Sequence, residues 1–157
     1  MVYRKAHNAW RVSNRIRRVA DVMTAPARSA VRKTVMVVDD NVVMRQIYRT
    51  ALEGAGFAVT EADGGARAQQ LVGQAMPALI VLDLLMVSGD GFSFLEHLRR
   101  RTDGALVPVV VATAKPLSEA EEQVLAALTQ GTVRKSKNTA ADVLAKVREL
   151  LSPPAAA

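Results

Sequence analysis

The chain has 157 residues, half of them hydrophobic and 23% charged, a size and balance that suit one globular domain with a real core. It holds no cysteine, which excludes a disulfide scaffold and a thiolate metal site, and no apolar stretch reaches the ~20 residues of a membrane helix. The net charge of +6 is uneven: residues 1–33 carry nine of the 21 Lys/Arg and one of the 15 acids, so the remainder is mildly acidic and has no nucleic-acid-binding field of its own.

Residues 1–33 read as a basic N-terminal arm. Ala9, Val12, Ile16, Val19, Ala20 and Met23 recur at helical spacing beside Trp10, with Arg11, Arg15 and Arg18 along a flank. One reading is a cationic amphipathic helix that docks on a partner, an acidic membrane or nucleic acid. The others are a segment without fixed structure, or a start at Met23 that leaves residues 1–22 outside the native protein. Arginines interrupt every apolar run here, so no secretory segment is read and a cytoplasmic chain is expected.

From Thr34 the pattern alternates. Strand 34–38 precedes a helix near 42–54, with Met44, Ile47, Tyr48, Ala51, Leu52 and Ala55 on one face and Asp40 or Asn41 as cap. Strand 57–61 leads to a helix near 65–75 that carries Ala68, Leu71, Val72 and Ala75 inward. Strand 78–82 precedes a loop with Gly89 and Gly91 and a helix near 92–101, with Phe94, Leu95 and Leu98 inward. Strand 107–112 precedes a helix near 118–129 that buries Ala120, Val124 and Leu128. Strand 131–135 leads to a last helix near 139–151, packed through Val143, Leu144, Val147, Leu150 and Leu151. The tail 152–157 is flexible. Five βα units whose strands lack polar alternation require a parallel sheet covered on both faces, an α/β doubly wound fold.

The strands end on chemistry. Strand 34–38 stops at Asp39-Asp40, 78–82 at Asp83, 107–112 at Thr113 and 131–135 at Lys135. Ligands bind at this edge of an open parallel sheet. Each residue alone has a plain explanation: a helix cap, a polar strand end, a β-branched strand residue, a solvated lysine. Their convergence on one edge is what points to a site. His7 and His97 have no cysteine or second histidine nearby and read as surface residues.

Here the chain resembles the receiver domain of bacterial two-component response regulators, of the single-domain, chemotaxis-regulator-like kind. The resemblance rests on Val37-Val38-Asp39-Asp40-Asn41, Glu61-Ala62-Asp63-Gly64, Leu82-Asp83-Leu84-Leu85-Met86, Asp90-Gly91, Thr113-Ala114 and Lys135, in that order, and covers residues 34–151. It implies a flavodoxin-like five-stranded sheet of order 2-1-3-4-5. It implies that Asp83 is the phosphoacceptor, charged by the phosphohistidine of a histidine kinase or histidine phosphotransferase. Asp40, Asp83 and the backbone carbonyl of Leu85 would then bind Mg²⁺ directly, and Asp39 through water. Thr113 would turn toward the phosphoryl group and Lys135 would pair with it. The chemistry agrees: a carboxylate can attack phosphorus, and a hard dication relieves the repulsion among clustered acids. The chain would catalyse only its own phosphorylation and dephosphorylation, so it is not read as an enzyme.

The sequence also departs from that family. Ser136 replaces the usual proline after the lysine, putting the expected cis bond in doubt; Val87 and Thr132 replace a proline and an aromatic. Lys115-Pro116 imitates the family's Lys-Pro pair on the wrong strand. Output is therefore expected from loop and helix shifts near 114–130. Leu85 and Lys115 flank the path of an attacking water, and leucine cannot orient it, which predicts a long-lived aspartyl phosphate. With no DNA-binding domain after residue 151, the expected output is protein contact or onward phosphotransfer to an unidentified target. The main rival is a pseudo-receiver that binds partners without being phosphorylated. A haloacid-dehalogenase-type phosphatase needs an acid two residues after its nucleophile, where Leu85 stands.

Overall fold

A computed structural model describes residues 31–87 and 91–152. The amphipathic stripe of the arm, the Gly89-Asp90 part of the loop and the tail beyond Ser152 lie outside the described residues. The strands are β1 (Thr34–Val38), β2 (Ala58–Ala62), β3 (Leu79–Leu82), β4 (Val109–Thr113) and β5 (Gly131–Arg134). The helices are α1 (Val42–Gly54), α2 (Gly65–Gln74), α3 (Gly91–Arg100), α4 (Glu119–Leu128) and α5 (Thr139–Leu151).

All neighbouring strands pair in parallel, in the order β2-β1-β3-β4-β5. Because side chains alternate across a strand, the same valine-rich runs feed two cores. Val35, Val37, Leu79, Val81, Val110 and Ala112 face α1 and α5, meeting Tyr48, Leu52, Val143 and Val147. Met36, Val38, Ile80, Leu82, Val109 and Val111 face α2, α3 and α4, meeting Ala68, Val72, Phe94, Leu95, Leu98 and Leu125. Each fully buried Leu, Ile, Val or Phe contributes about 1.5–3 kcal/mol, so burial on both faces is what fixes the sheet.

Local chemistry sets the boundaries. Asn41 caps α1 by accepting the N–H groups of Val43 and Met44. Gly56, at φ 95°, turns the chain so that the Phe57 N–H closes onto the Leu52 carbonyl. Phe57 is thereby used by the helix end, and β2 begins at Ala58, one residue later than the apolar pattern suggested.

Three expected faces differ. In α4, Leu125 is buried while Ala120 and Val124 are exposed and Leu128 is half-buried. The Ser118–Glu121 capping box sets where this alanine-rich helix starts, and its low apolar contrast left the phase ambiguous. Ile47 is exposed on α1, and Ala75 lies exposed at the C-cap of α2, where the backbone is already extended.

Candidate functional site

The register Val38↔Leu82 brings the ends of β1 and β3 level. The Asp83 N–H donates to the Val38 carbonyl at 2.9 Å, and the Asp39 N–H to the Ala62 carbonyl at 3.1 Å. The two acids therefore leave the sheet side by side, where β2 lies to one side of β1 and β3 to the other. That is the topological switch point of a doubly wound sheet, where a crevice opens.

Asp39 is 1% exposed and Asp83 5%, while Asp40 is half-buried. One oxygen from each of the three lies within 4.8 Å of the others. The loops hold each carboxylate by a backbone N–H: Asn41 to Asp39 Oδ1 at 2.9 Å, Leu85 to Asp83 Oδ1 at 3.1 Å, and Val87 to Asp40 Oδ2 at 2.9 Å. The last bond ties the β3–α3 loop to the start of α1.

Lys135, just past β5, reaches into the cluster. Its Nζ lies 2.7 Å from Asp39 Oδ2 and 3.0 Å from Asp83 Oδ2. Burial draws its pKa down, but the hydrogen bonds it donates to Asp39 and Asp83 and their charges outweigh this, so the amine holds its proton above the ordinary range. Pairwise repulsion among carboxylates at this spacing is about 3 kcal/mol at an effective dielectric of ~20. One ammonium against three carboxylates leaves two negative charges, with oxygen as the only donor atom. Hard dications take such oxygen sets, and two oxygens on one Mg²⁺ sit about 3–4 Å apart. The residues present fit Mg²⁺ in charge, donor type and spacing.

Thr113 ends β4, is 1% exposed, and its Oγ1 accepts the Lys115 N–H at 3.1 Å. Its carbonyl accepts the Lys135 N–H at 3.0 Å, which fixes the lysine's strand end beside it. Leu85 is 61% exposed on the loop after Asp83. Lys115 turns elsewhere: its Nζ lies 2.5 Å from Glu121 Oε1 and 5.1 Å from the Phe92 ring centroid. That hydrogen bond holds the Glu121 carboxyl below its usual range. Of the two lysines, it is Lys135 that meets the acids.

Ser136 uses the N–H that a proline would lack: it donates to Thr139 Oγ1 at 2.6 Å, anchoring the start of α5. Among the described residues no peptide bond is cis.

Arg45 escaped the sequence reading, and Gly91 entered it only as a loop glycine and part of the Asp90-Gly91 motif. The Arg45 Nη1 donates to the Asp39 carbonyl at 2.8 Å while its Nε sits 3.4 Å from Glu61. An arginine just after the apolar Val42-Val43-Met44, beside an acidic strand end, was the available signal. Gly91 opens α3 against Asp83: a Cβ there would lie 2.4 Å from the Asp83 carbonyl oxygen and 2.7 Å from Leu84 Cα. Only glycine lets the helix approach the strand end this closely.

Comparison with known proteins identifies the family and the fold. A family model for the response regulator receiver domain matches residues 35–148. The KDP operon transcriptional regulatory protein KdpE of Escherichia coli is 38% identical over 92 residues, which cover 59% of this chain and 39% of that protein. The DNA-binding dual master transcriptional regulator RpaA of Synechocystis is 36% identical over 80 residues, 51% of this chain and 33% of that protein. The chain thus spans about a third of the length of these curated relatives. Among solved structures, the chemotaxis protein CheY4 of Vibrio cholerae superposes with a TM-score of 0.70 at 25% identity, covering 77% of this chain and 100% of that one. The N-terminal domain of a response regulator receiver protein from Methanoculleus marisnigri gives 0.62 at 26%, covering 77% and 98%. The chain belongs to the response regulator receiver domain family, and its fold is the flavodoxin-like one of chemotaxis-type receivers.

Proposed function

We propose that this receiver domain, residues 34–151, accepts a phosphoryl group on Asp83 from a histidine kinase or histidine phosphotransferase in the cytoplasm. The observation that carries the reading is the shared lysine: one ammonium bridges Asp39 and Asp83 at 2.7 and 3.0 Å while a third acid lies within 4.8 Å. A bridging cation that can leave one carboxylate for a new anion is what an acceptor site requires.

In this reading an oxygen of Asp83 attacks phosphorus, the O–P bond forms, and the P–N bond to the donor imidazole breaks with its electron pair on nitrogen. Asp40, Asp83 and the Leu85 carbonyl would hold Mg²⁺, with Asp39 through water. When bound, it neutralises the clustered acids and the incoming anion. Lys135 follows the new negative charge onto the phosphoryl oxygens as a point charge. The Thr113 hydroxyl, now accepting from the Lys115 N–H, turns to donate to the same group. The β3–α3 and β4–α4 loops then shift and present a changed surface to a protein partner, or the phosphoryl group passes onward.

Incubation with Mg²⁺ and a small phosphodonor, followed by intact mass, tests the proposal. The wild-type chain should gain the mass of one phosphoryl group and Asp83→Asn should gain none. No adduct on the wild type under donor excess would instead support the pseudo-receiver reading.

A further inference from the structure

Tyr48 is the odd member of the apolar layer beneath the site. It sits on α1 seven residues after the cap Asn41, in the cluster with Val37, Val81 and Ala112. Helical side chains lean toward the helix N-terminus, and that end of α1 is the acid pocket, because the Asn41 N–H donates to Asp39. The phenol therefore extends through the core toward the pocket floor. Tyr48 is 1% exposed, yet its hydroxyl has no hydrogen-bond partner among the described residues. Lys135, Asp39 and Asp83 all act on it electrostatically. Burial pushes its pKa up to about 12, so at neutral pH the hydroxyl keeps its proton and remains a donor. An unpaired buried hydroxyl is costly, and phenylalanine would fill the space without that cost.

We propose that Tyr48 is a positioning residue whose hydroxyl donates to the Asp39 carboxylate, directly or through one bridging water, once Lys135 has moved onto the phosphoryl group at Asp83. Asp39 Oδ1 is held by the Asn41 N–H at 2.9 Å and Oδ2 by Lys135 at 2.7 Å. When the lysine leaves, a carboxylate that is 1% exposed loses a charge-assisted hydrogen bond. The unpaired Tyr48 hydroxyl, which keeps its proton, supplies the replacement donor. This inference rests on the reading of Asp83 as phosphoacceptor.

Beryllium fluoride with Mg²⁺, added to the full chain as a stable aspartyl-phosphate mimic, tests both separately. Fluorine NMR reports whether the mimic binds, and a carbon label at the tyrosine ring Cζ reports the hydroxyl's bonding, with Tyr3→Phe assigning the second tyrosine. The Tyr48 resonance should move when the mimic binds and stay fixed in Asp83→Asn. Tyr48→Phe should keep or raise the melting temperature yet hold the mimic about tenfold more weakly. A bound mimic with an unmoved Tyr48 resonance, or wild-type affinity in Tyr48→Phe, overturns the inference alone. No binding by the wild-type chain overturns the phosphoacceptor reading, and the inference with it.

Discussion

Replacing Lys135 with methionine removes the ammonium that pairs with Asp39 and Asp83 and keeps most of the stem. The structure sets the size of the effect. Two ion pairs vanish, at 2.7 Å to Asp39 and 3.0 Å to Asp83, whose side chains are 2% and 6% exposed, against 18% for the lysine. Removing one partner of a buried pair costs about 3–5 kcal/mol, and the lysine's partial exposure puts this case near ~3 kcal/mol. Mg²⁺ should act in the opposite sense. Lys135 competes with a cation for the same carboxylates, so without its ammonium the acids would hold Mg²⁺ about tenfold more tightly or better. Urea unfolding followed by circular dichroism, first in chelator and then across a Mg²⁺ titration, reads both effects. Lys135→Met should be the less stable protein in chelator, with the gap closing as Mg²⁺ rises. Its rate of adduct formation with a small phosphodonor should nevertheless fall about a hundredfold, because the anion loses its ammonium. Equal stability in chelator, or a gap that ignores Mg²⁺, would refute the assignment of Lys135 as the pocket's counter-charge.

Gly91→Ala should lower stability by about 1–3 kcal/mol through overpacking and also slow adduct formation, since its Cβ meets the Asp83 carbonyl at 2.4 Å; wild-type values for both in melting and mass assays would remove Gly91 from the site. Tyr48 carries an alkaline signature. Its pKa is raised from 10.0 to about 12, so the folded state holds that proton more tightly than the unfolded chain does. The resulting stabilisation is complete below about pH 10 and fades toward pH 12, a loss of roughly 2–3 kcal/mol that urea titrations should show in wild type and lack in Tyr48→Phe. The aspartyl phosphate should be long-lived, because Leu85 is an exposed apolar side chain and Lys115 is held by Glu121; decay within seconds without a phosphatase contradicts this.

The sheet and the convergence of the three acids were legible because each signal is local. Unalternating valine-rich runs mean a sheet buried on both faces, and a run that stops on a carboxylate puts that carboxylate at the ligand edge. Contacts between elements were less legible. The bond from Arg45 to the Asp39 carbonyl depends on how α1 lies over β1. The need for Gly91 depends on a 2.4 Å approach that no spacing rule contains. Tyr48 falls on the apolar stripe like any core residue, and only its unpaired hydroxyl distinguishes it.

The misassigned face of α4 and the expected site of output share one cause. This helix offers the core one buried side chain, Leu125, against the three of α3 (Phe94, Leu95 and Leu98). Its low apolar contrast hid its orientation from the sequence, and the same shortage of burial means little free energy opposes its displacement. What holds its start is polar: the exposed capping box of Ser118 with Glu121, and the half-buried contact from Lys115 to that same Glu121. Surface ion pairs of this kind are worth about 0–1 kcal/mol. Thr113 connects the site to it, because its Oγ1 accepts the Lys115 N–H. A phosphoryl group that draws the Thr113 hydroxyl away releases that N–H and loosens the segment carrying Lys115. On the proposed phosphorylation of Asp83, residues 114–130 would move at little cost, and a rise in amide exchange there is the expected signature.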